Sequence, residues 1–263
     1  MRVLLTNDDS IHSAALHHLA QAFQRHGWEV FITAPATEQS GVGRACGLSR
    51  TPEVAPFQGL NCEAWMISGT PLDCVNIALS YLIHDRQPDL VVSGINWGVN
   101  VSVPVVFSSG TVGGALEGVA WGTPSIAVSQ SLPDQDGQFL QKKFDFLSHA
   151  GLMKSIVIAA ERTLVFAEEA VKSKECVVHN INFPYPLTEQ TEVEHTRLSD
   201  IMRGSACPIY GPLYQQPDDQ GVCRFQMPSH PEIPFEPGTD MAALLKGKIS
   251  HSVLDLRRLC ADF

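Results

Sequence analysis

Residues 2–35 read RVLLTNDDSIHSAALHHLAQAFQRHGWEVFITAP, and this stretch decides the fold. Arg2 to Leu5 is a short apolar run ending in turn-forming polar residues, which predicts a buried strand. From His12 to His26 the apolar residues Ala15, Leu16, Leu19, Ala20 and Phe23 recur at helical spacing, and Gly27 stands where helices commonly stop. Glu29 to Thr33 predicts a second strand, stopped by Ala34-Pro35. Strand, helix and strand in so short a stretch form a βαβ unit, and hence a parallel sheet.

The same alternation continues. Ala64 to Ser68 predicts a strand, Pro71 to His84 a helix with proline near its start, and Asp89 to Ser93 a strongly apolar strand. Thr111 to Trp121 predicts a helix and Ser125 to Ser129 a strand. Phe144 to Lys172 carries a long helical pattern interrupted at Gly151, followed by a strand over Cys176 to Asn182. Residues 1–185 therefore predict an α/β core with an open, mostly parallel, Rossmann-like sheet that carries the site. Residues 186–263 differ: prolines 208, 212, 217, 228, 231, 234 and 237 break the segment into short strands and loops. This predicts a C-terminal extension of β-hairpins and arms suited to packing on another subunit.

The composition excludes several classes. With 44% apolar residues and a mean hydropathy of +0.01, the 263-residue chain is that of an ordinary globular protein. A formal charge of −10 and a pI near 5.4 argue against a general nucleic-acid surface, which needs clustered Lys and Arg. A small anionic substrate stays compatible if a bound cation supplies the positive charge. The seven cysteines are scattered and none forms a CxxC pair, so free thiols in a reducing cytoplasm are expected. The first apolar run is too short for a signal peptide, and no later run is long enough to span a membrane. A cytoplasmic location follows as an expectation.

In an open parallel sheet, ligands bind beyond the carboxyl ends of the strands. After the first strand come Asn7, Asp8, Asp9 and Ser10. Two adjacent carboxylates at one strand end are costly unless a cation or arginine neutralises them, although one of Asp9 and Ser10 could simply cap the next helix. Oxygen-rich donors favour a hard ion such as Mg²⁺ or Mn²⁺. Ser40-Gly41, after the second strand, offers a hydroxyl and open backbone N–H groups, or is an ordinary polar loop. Asn96 lies in the run Ser93-Gly94-Ile95-Asn96-Trp97-Gly98, as a neutral ligand or part of a glycine-rich turn; Trp97 beside it either stacks on a base or packs. Ser108-Ser109-Gly110-Thr111 leads into a helix, which makes an anion site or a plain N-cap. All these residues fall on one edge of the sheet, an arrangement suited to metal-assisted hydrolysis of a phosphate ester.

The blocks Leu4 to Asp9, Ala34-Pro35 with Gln39-Ser40-Gly41, Gly69 to Val75, Ser93 to Asn100, Ser109-Gly110-Thr111, Asn180 to Pro184 and Gly238-Thr239-Asp240 occur in order along nearly the whole chain. In this the chain resembles the SurE survival proteins, metal-dependent 5′-nucleotidases. The resemblance implies one divalent ion, Mg²⁺ or Mn²⁺, on Asp8, Asp9, Ser40 and Asn96, with Asp8, Asn7 and Asn96 as catalytic residues. It implies that Asn7, Ser109, Gly110 and Thr111 face the phosphate, to which the anion-site reading above adds Gly41 and Ser108. It also implies activity on nucleoside 5′-monophosphates, on 3′-monophosphates and short polyphosphate as well, and a homodimer or homotetramer built through the C-terminal arm. Two departures stand out. Ser10 replaces the glycine usual after the acidic pair. Val101 to Ser109 lacks the two acidic residues and the tyrosine usual before the Ser-Gly-Thr block.

Two other readings remain open on sequence. A zinc-dependent deacetylase can also place paired aspartates after a first strand, but needs histidine ligands, for which His12, His17 and His18 are the nearby candidates. A non-catalytic nucleotide- or metal-binding protein would retain the ligands and lack turnover because of the altered 101–107 loop.

Overall fold

The computed structural model describes residues 1–49, 51–133, 149–199, 214–224 and 236–259. Strands β1 (Arg2–Thr6), β2 (Glu29–Pro35), β3 (Val54–Pro56), β4 (Glu63–Ile67), β5 (Leu90–Trp97), β6 (Ser125–Gln130), β7 (Val178–Phe183), β8 (Val193–His195) and β9 (Ile249–Leu254) form one sheet. Their order is β3-β4-β2-β1-β5-β6-β7-β9-β8. Strands β4, β2, β1, β5, β6 and β7 run parallel; β3 on β4 and β9 on β7 are antiparallel, and β8 is parallel to β9. The open, mostly parallel α/β sheet expected from the sequence is what forms.

The central strands are buried on both faces because helices cover both. On one face Val3, Leu5, Ile32, Val92, Ile126, Val128 and Ile181 meet α1 (Ala14–Arg25) and the long helix α5 (Ala150–Ser173). On the other, Leu4, Phe31 and Val91 meet α2 (Pro71–Ile77) and the wider turn of π-helix that follows it over Ala78–Leu82. Successive residues of a strand point to opposite faces, so a strand covered twice reads as an unbroken apolar run. That is why Val3-Leu4-Leu5 and Leu90-Val91-Val92 show no alternation.

Short helix α3 (Val103–Ser108) and then α4 (Gly110–Ala120) follow β5. Helix α4 lies hard against the sheet: a Cβ at Gly118 would fall 2.4 Å from Ser125 Oγ and 2.8 Å from Val91 Cβ, so any larger residue would push the helix off the strands. Helix α6 (Asp240–Leu245) precedes β9.

Several boundaries differ from the sequence expectation for local reasons. The helix from Pro71 leaves α geometry at Ala78 and ends before His84. The strand from Asp89 does not stop at Ser93; it continues through Gly94 to Trp97, with a bulge between Ser93 and Asn96. Residues 101–108, expected as loop, contain α3. Gly151 does not interrupt its helix; it lies in the first turn of α5, after the cap His149, and residues 144–148 of the expected helix lie outside the described residues. Within 186–263, β8 and β9 join the main sheet, and Gln215 N–H to Arg224 O (2.8 Å) and Asp218 N–H to Val222 O (3.1 Å) close a hairpin-like turn. Prolines 208, 212, 228, 231 and 234 lie outside the described residues. Cys46, Cys62, Cys74, Cys176 and Cys223 are free; Cys207 and Cys260 are not among the described residues. No described helix is long and apolar enough to cross a membrane.

Candidate active site at the carboxyl edge of the sheet

Because β1, β2 and β5 are parallel neighbours, their carboxyl ends open on one edge. β1 delivers the turn Asn7-Asp8-Asp9-Ser10. Asn7 Nδ2 donates to Ser10 O at 2.9 Å and closes it, while Asn7 Oδ1 is buried without a partner among the described residues. Asp8 is nearly buried, 3% exposed. Thr111 Oγ1 donates to Asp8 Oδ1 at 2.6 Å, and the Gln39 N–H donates to the Asp8 carbonyl at 2.7 Å. Three separate elements therefore meet at Asp8: the end of β1, the loop after β2, and the start of α4.

Gly110 is what permits that meeting. A Cβ there would lie 2.9 Å from Asp8 Cβ, 3.0 Å from Asp8 Oδ2 and 3.1 Å from Gln39 O. Ser109 caps α4 by accepting from the Val112 N–H at 3.1 Å, with its residue buried beside the pair. The Ser109 reading as N-cap is thus what the structure shows, and capping still leaves the hydroxyl proton to donate. Ser108 donates its own hydroxyl to Val105 O (3.2 Å), and its carbonyl accepts from the Gly43 N–H (2.8 Å), so it fastens α3 to the loop after β2. Thr111 gives its hydroxyl to Asp8, which makes it an orienting group for that carboxylate.

β5 delivers Asn96, 8% exposed, and Trp97, whose N–H donates to Asp9 Oδ2 at 3.3 Å. Trp97 packs against the main core, the second of the two roles open to it on sequence. Ser40 and Gly41 follow Gln39 and are exposed on the rim, the Ser40 N–H donating to Glu38 Oε1 at 2.6 Å. The bulge between Ser93 and Asn96 carries the strand on to Asn96 at the same edge as Asp8.

Burial pushes the Asp8 carboxyl up to about 6 against the Thr111 hydrogen bond, and pushes Asp9 well above the usual carboxylate range, with the neighbouring Asp8 charge adding to it. Glu38 raises both further, and no described Lys, Arg or His offsets the pair. Glu38 was not singled out in the sequence; its position two residues before Ser40, in the loop after β2, was the available signal. The donors gathered here are carboxylate, amide and hydroxyl oxygens, the set a hard divalent ion takes. With buried Asn7 Oδ1 unpartnered beside them, the residues present fit such an ion. Histidines do not join them: His12 packs edge-on to Phe57 (5.3 Å between ring centroids) and His17 Nε2 donates to Ile11 O at 2.7 Å. Among the described residues no three His, Cys, Asp or Glu side chains are grouped so as to hold a metal ion, so the deacetylase ligand set is not assembled at this edge.

The fold and this edge define an α/β protein whose acidic strand edge meets a helix N-terminus. The model of the Survival protein SurE family matches residues 3–205, and the chain belongs to that family. It is 35% identical over 258 residues to a 5′-nucleotidase SurE of Phenylobacterium zucineum, covering 97% of this chain and 91% of that one. It is 36% identical over 253 residues to a 5′-nucleotidase SurE of Methanopyrus kandleri, covering 95% and 89%. The crystal structure of a SurE protein from Aquifex aeolicus shares the fold, with a TM-score of 0.68 at 24% identity over 97% of this chain and 94% of that one.

Proposed function

We propose that this chain is a phosphoric monoester hydrolase that releases phosphate from nucleoside 5′-monophosphates, with 3′-monophosphates and short polyphosphate as further substrates. One Mg²⁺ or Mn²⁺ would be held by Asp8, Asp9, Ser40 and Asn96. Bound there, such an ion would polarise a phosphoryl oxygen and lower the pKa of a water. The observation that carries the reading is the contact between Gly110 and Asp8: an acidic pair with no cationic partner among the described residues sits directly under a helix N-terminus. An anion alone would be repelled by the carboxylates, and a cation alone would have no use for the helix start. A phosphate bridged by a cation suits both.

The chain's own residues divide the remaining work. Thr111 and the Trp97 N–H orient the two carboxylates. The Gly110 N–H at the start of α4 and the hydroxyl proton of Ser109 face an anion, with Gly41 on the facing rim. Asn7 fixes the turn through Ser10. The low-charge wall of α3, Val103 to Phe107, replaces the acidic run usual in the family, and would lessen repulsion of an anionic substrate. We also propose that residues 186–263 build a homodimer or homotetramer, which light scattering on the purified chain measures directly.

The test is phosphate release from a panel of nucleoside 5′- and 3′-monophosphates with Mg²⁺, Mn²⁺, Zn²⁺ or EDTA, alongside Asp8→Asn. Turnover with Mg²⁺ or Mn²⁺, abolished by EDTA and by the substitution, is expected. A folded protein that binds nucleotide and releases no phosphate with any metal would overturn the reading and leave a binding protein.

A further inference from the structure

Asp240, the first residue of α6, lies more than a hundred residues from the acidic pair in sequence, yet its carboxylate reaches the loop that builds the phosphate end of the site. It is fully buried. Oδ1 accepts from the Ser199 N–H (2.9 Å), the Ser199 hydroxyl (2.6 Å) and the Met241 N–H (2.8 Å). Oδ2 accepts from the Ser102 N–H at 2.6 Å. One oxygen thus organises its own segment, and the other holds the active-site loop.

The residue it holds needs holding. Ser102 has φ 65° and ψ 153°, a region that side-chain-bearing residues avoid and that persists only where surrounding contacts over-determine it. Those contacts are Asp240 Oδ2 and the Val103 N–H donating to Ser199 O at 3.3 Å. From Ser102 the chain enters α3 directly, the Val106 N–H returning to Ser102 O at 3.1 Å. Helix α3 then runs to Ser108, and the next residue is Ser109, the cap of α4 beside Asp8. A single six-residue helix spans from the clamp to the phosphate-binding turn.

We propose that Asp240 is a positioning residue for phosphate: by fixing Ser102 it sets the start of α3, and through α3 the placement of Ser109 and Gly110 against Asp8. The proposal rests on the phosphatase reading above. Asp240 does not touch substrate, and it is bonded to none of Asp8, Asp9, Ser40 or Asn96.

Asp240→Asn tests it selectively. The amide keeps its oxygen toward the three donors at Ser199 and Met241, because the flipped amide would set its NH₂ against all of them. Its NH₂ then faces the Ser102 N–H, donor against donor, and the loop bond alone is lost. Small misplacements of binding groups cost up to about 100-fold in rate, so kcat on the best nucleoside monophosphate should fall about 10- to 100-fold. The inhibition constant for inorganic phosphate should rise about tenfold, while half-saturation by Mg²⁺ moves less than about two-fold. A purely structural role would lower the melting temperature and the active fraction and leave the phosphate inhibition constant of the remaining enzyme unchanged; that result, or an unchanged kcat, overturns the proposal. If Asp240→Asn does not fold, Ser199→Ala removes one bond to Oδ1 and should give the same pattern at about two- to five-fold. If the wild type releases no phosphate from any nucleotide, the phosphatase reading fails instead. Titration calorimetry of inorganic phosphate with Mg²⁺ on wild type and Asp240→Asn then decides the clamp by itself: equal affinities would sink it.

Discussion

Two clusters of titratable side chains sit on this sheet, and in each the same physics shifts a buried member. At the carboxyl edge, burial raises Asp8 to about 6 and raises Asp9 well above the usual carboxylate range, with its neighbour's charge adding to it. Across β7, β9 and β8, His179, His251 and His195 lie side by side, with His179 Nδ1 and His251 Nε2 2.9 Å apart and the His195 and His251 rings 4.9 Å apart. Burial, then His179 and His195, lower His251 to about 4. The difference lies in what surrounds them. The aspartates stand just past the end of β1, under a helix start, with the Asn7 amide oxygen unpartnered among the described residues beside them. His251 stands within a strand, edge-on to Phe166 of α5 at 5.3 Å, in a position where neutrality suffices. A shifted pKa marks a desolvated group; its place on the sheet tells whether a ligand can reach it.

The strongest way to break the comparison is to remove charge from the acidic edge. Asp8→Asn and Asp9→Asn should each reduce phosphate release by about 1,000-fold or more, several kcal/mol of barrier. In EDTA the same variants should melt no lower than the wild type, because one of two crowded buried charges has gone. Loss of activity together with a lower melting temperature in EDTA would mean that the pair is structural, as the histidines are. Gly110→Ala comes next. Its Cβ would press Asp8 and Gln39 O to about 3 Å, and neither is the end of a flexible chain. Activity should fall about 100-fold with melting changed by a few degrees, measured by the same phosphate assay and a thermal scan.

The histidine side gives the third prediction, on stability alone. His251 has a folded pKa near 4 against an ordinary 6.5, so between those values the unfolded chain binds a proton that the folded chain does not. Stability from this group is full above pH 6.5 and is lost as the pH falls toward 4. The groups that set it are His179 and His195 beside it, with Glu169 and Glu175 acting on His179. The wild type should lose about 1 kcal/mol more than His251→Phe between pH 7.5 and 5.5, seen as a steeper fall of melting temperature. Parallel pH profiles for the two proteins would show that His251 does not titrate as described.

How legible each region was follows the same division. The parallel sheet could be read because each strand-helix-strand unit is local: apolar run, helical spacing and stop signal lie within about thirty residues of one another. The edge could be read because parallel strands oblige Asp8, Ser40 and Asn96 to share it. Three things were hidden. The bulge that extends β5 to Trp97 has the same glycine-rich composition as a turn. The three-residue strand β8 and the polar β9, Ile249-Ser250-His251-Ser252, are too short or too hydrophilic to show a period; β9 returns to the sheet by pairing with β7 across some seventy residues, and β8 by pairing with β9. The Asp240 clamp joins Ser102 to Ser199, and nothing in local spacing reports a contact of that range.

Ser10→Gly should have the smallest effect, and it separates loop strain from chemistry. Ser10 has φ 83°, in the left-handed region that favours glycine, at the position where the resemblance sets glycine in the family. Relief of that strain is worth about 1 kcal/mol. Against it, glycine adds freedom to the unfolded chain by a comparable amount, and the Ser10 Oγ bond from the His12 N–H (3.3 Å) is lost. The carbonyl that receives Asn7 Nδ2 is backbone and survives. The melting temperature should therefore move by less than about 3 °C and kcat by less than about three-fold. A large gain in kcat would show that the serine holds Asp8 and Asp9 away from their working geometry, and that the acidic edge in this chain is limited by its turn rather than by its ligands.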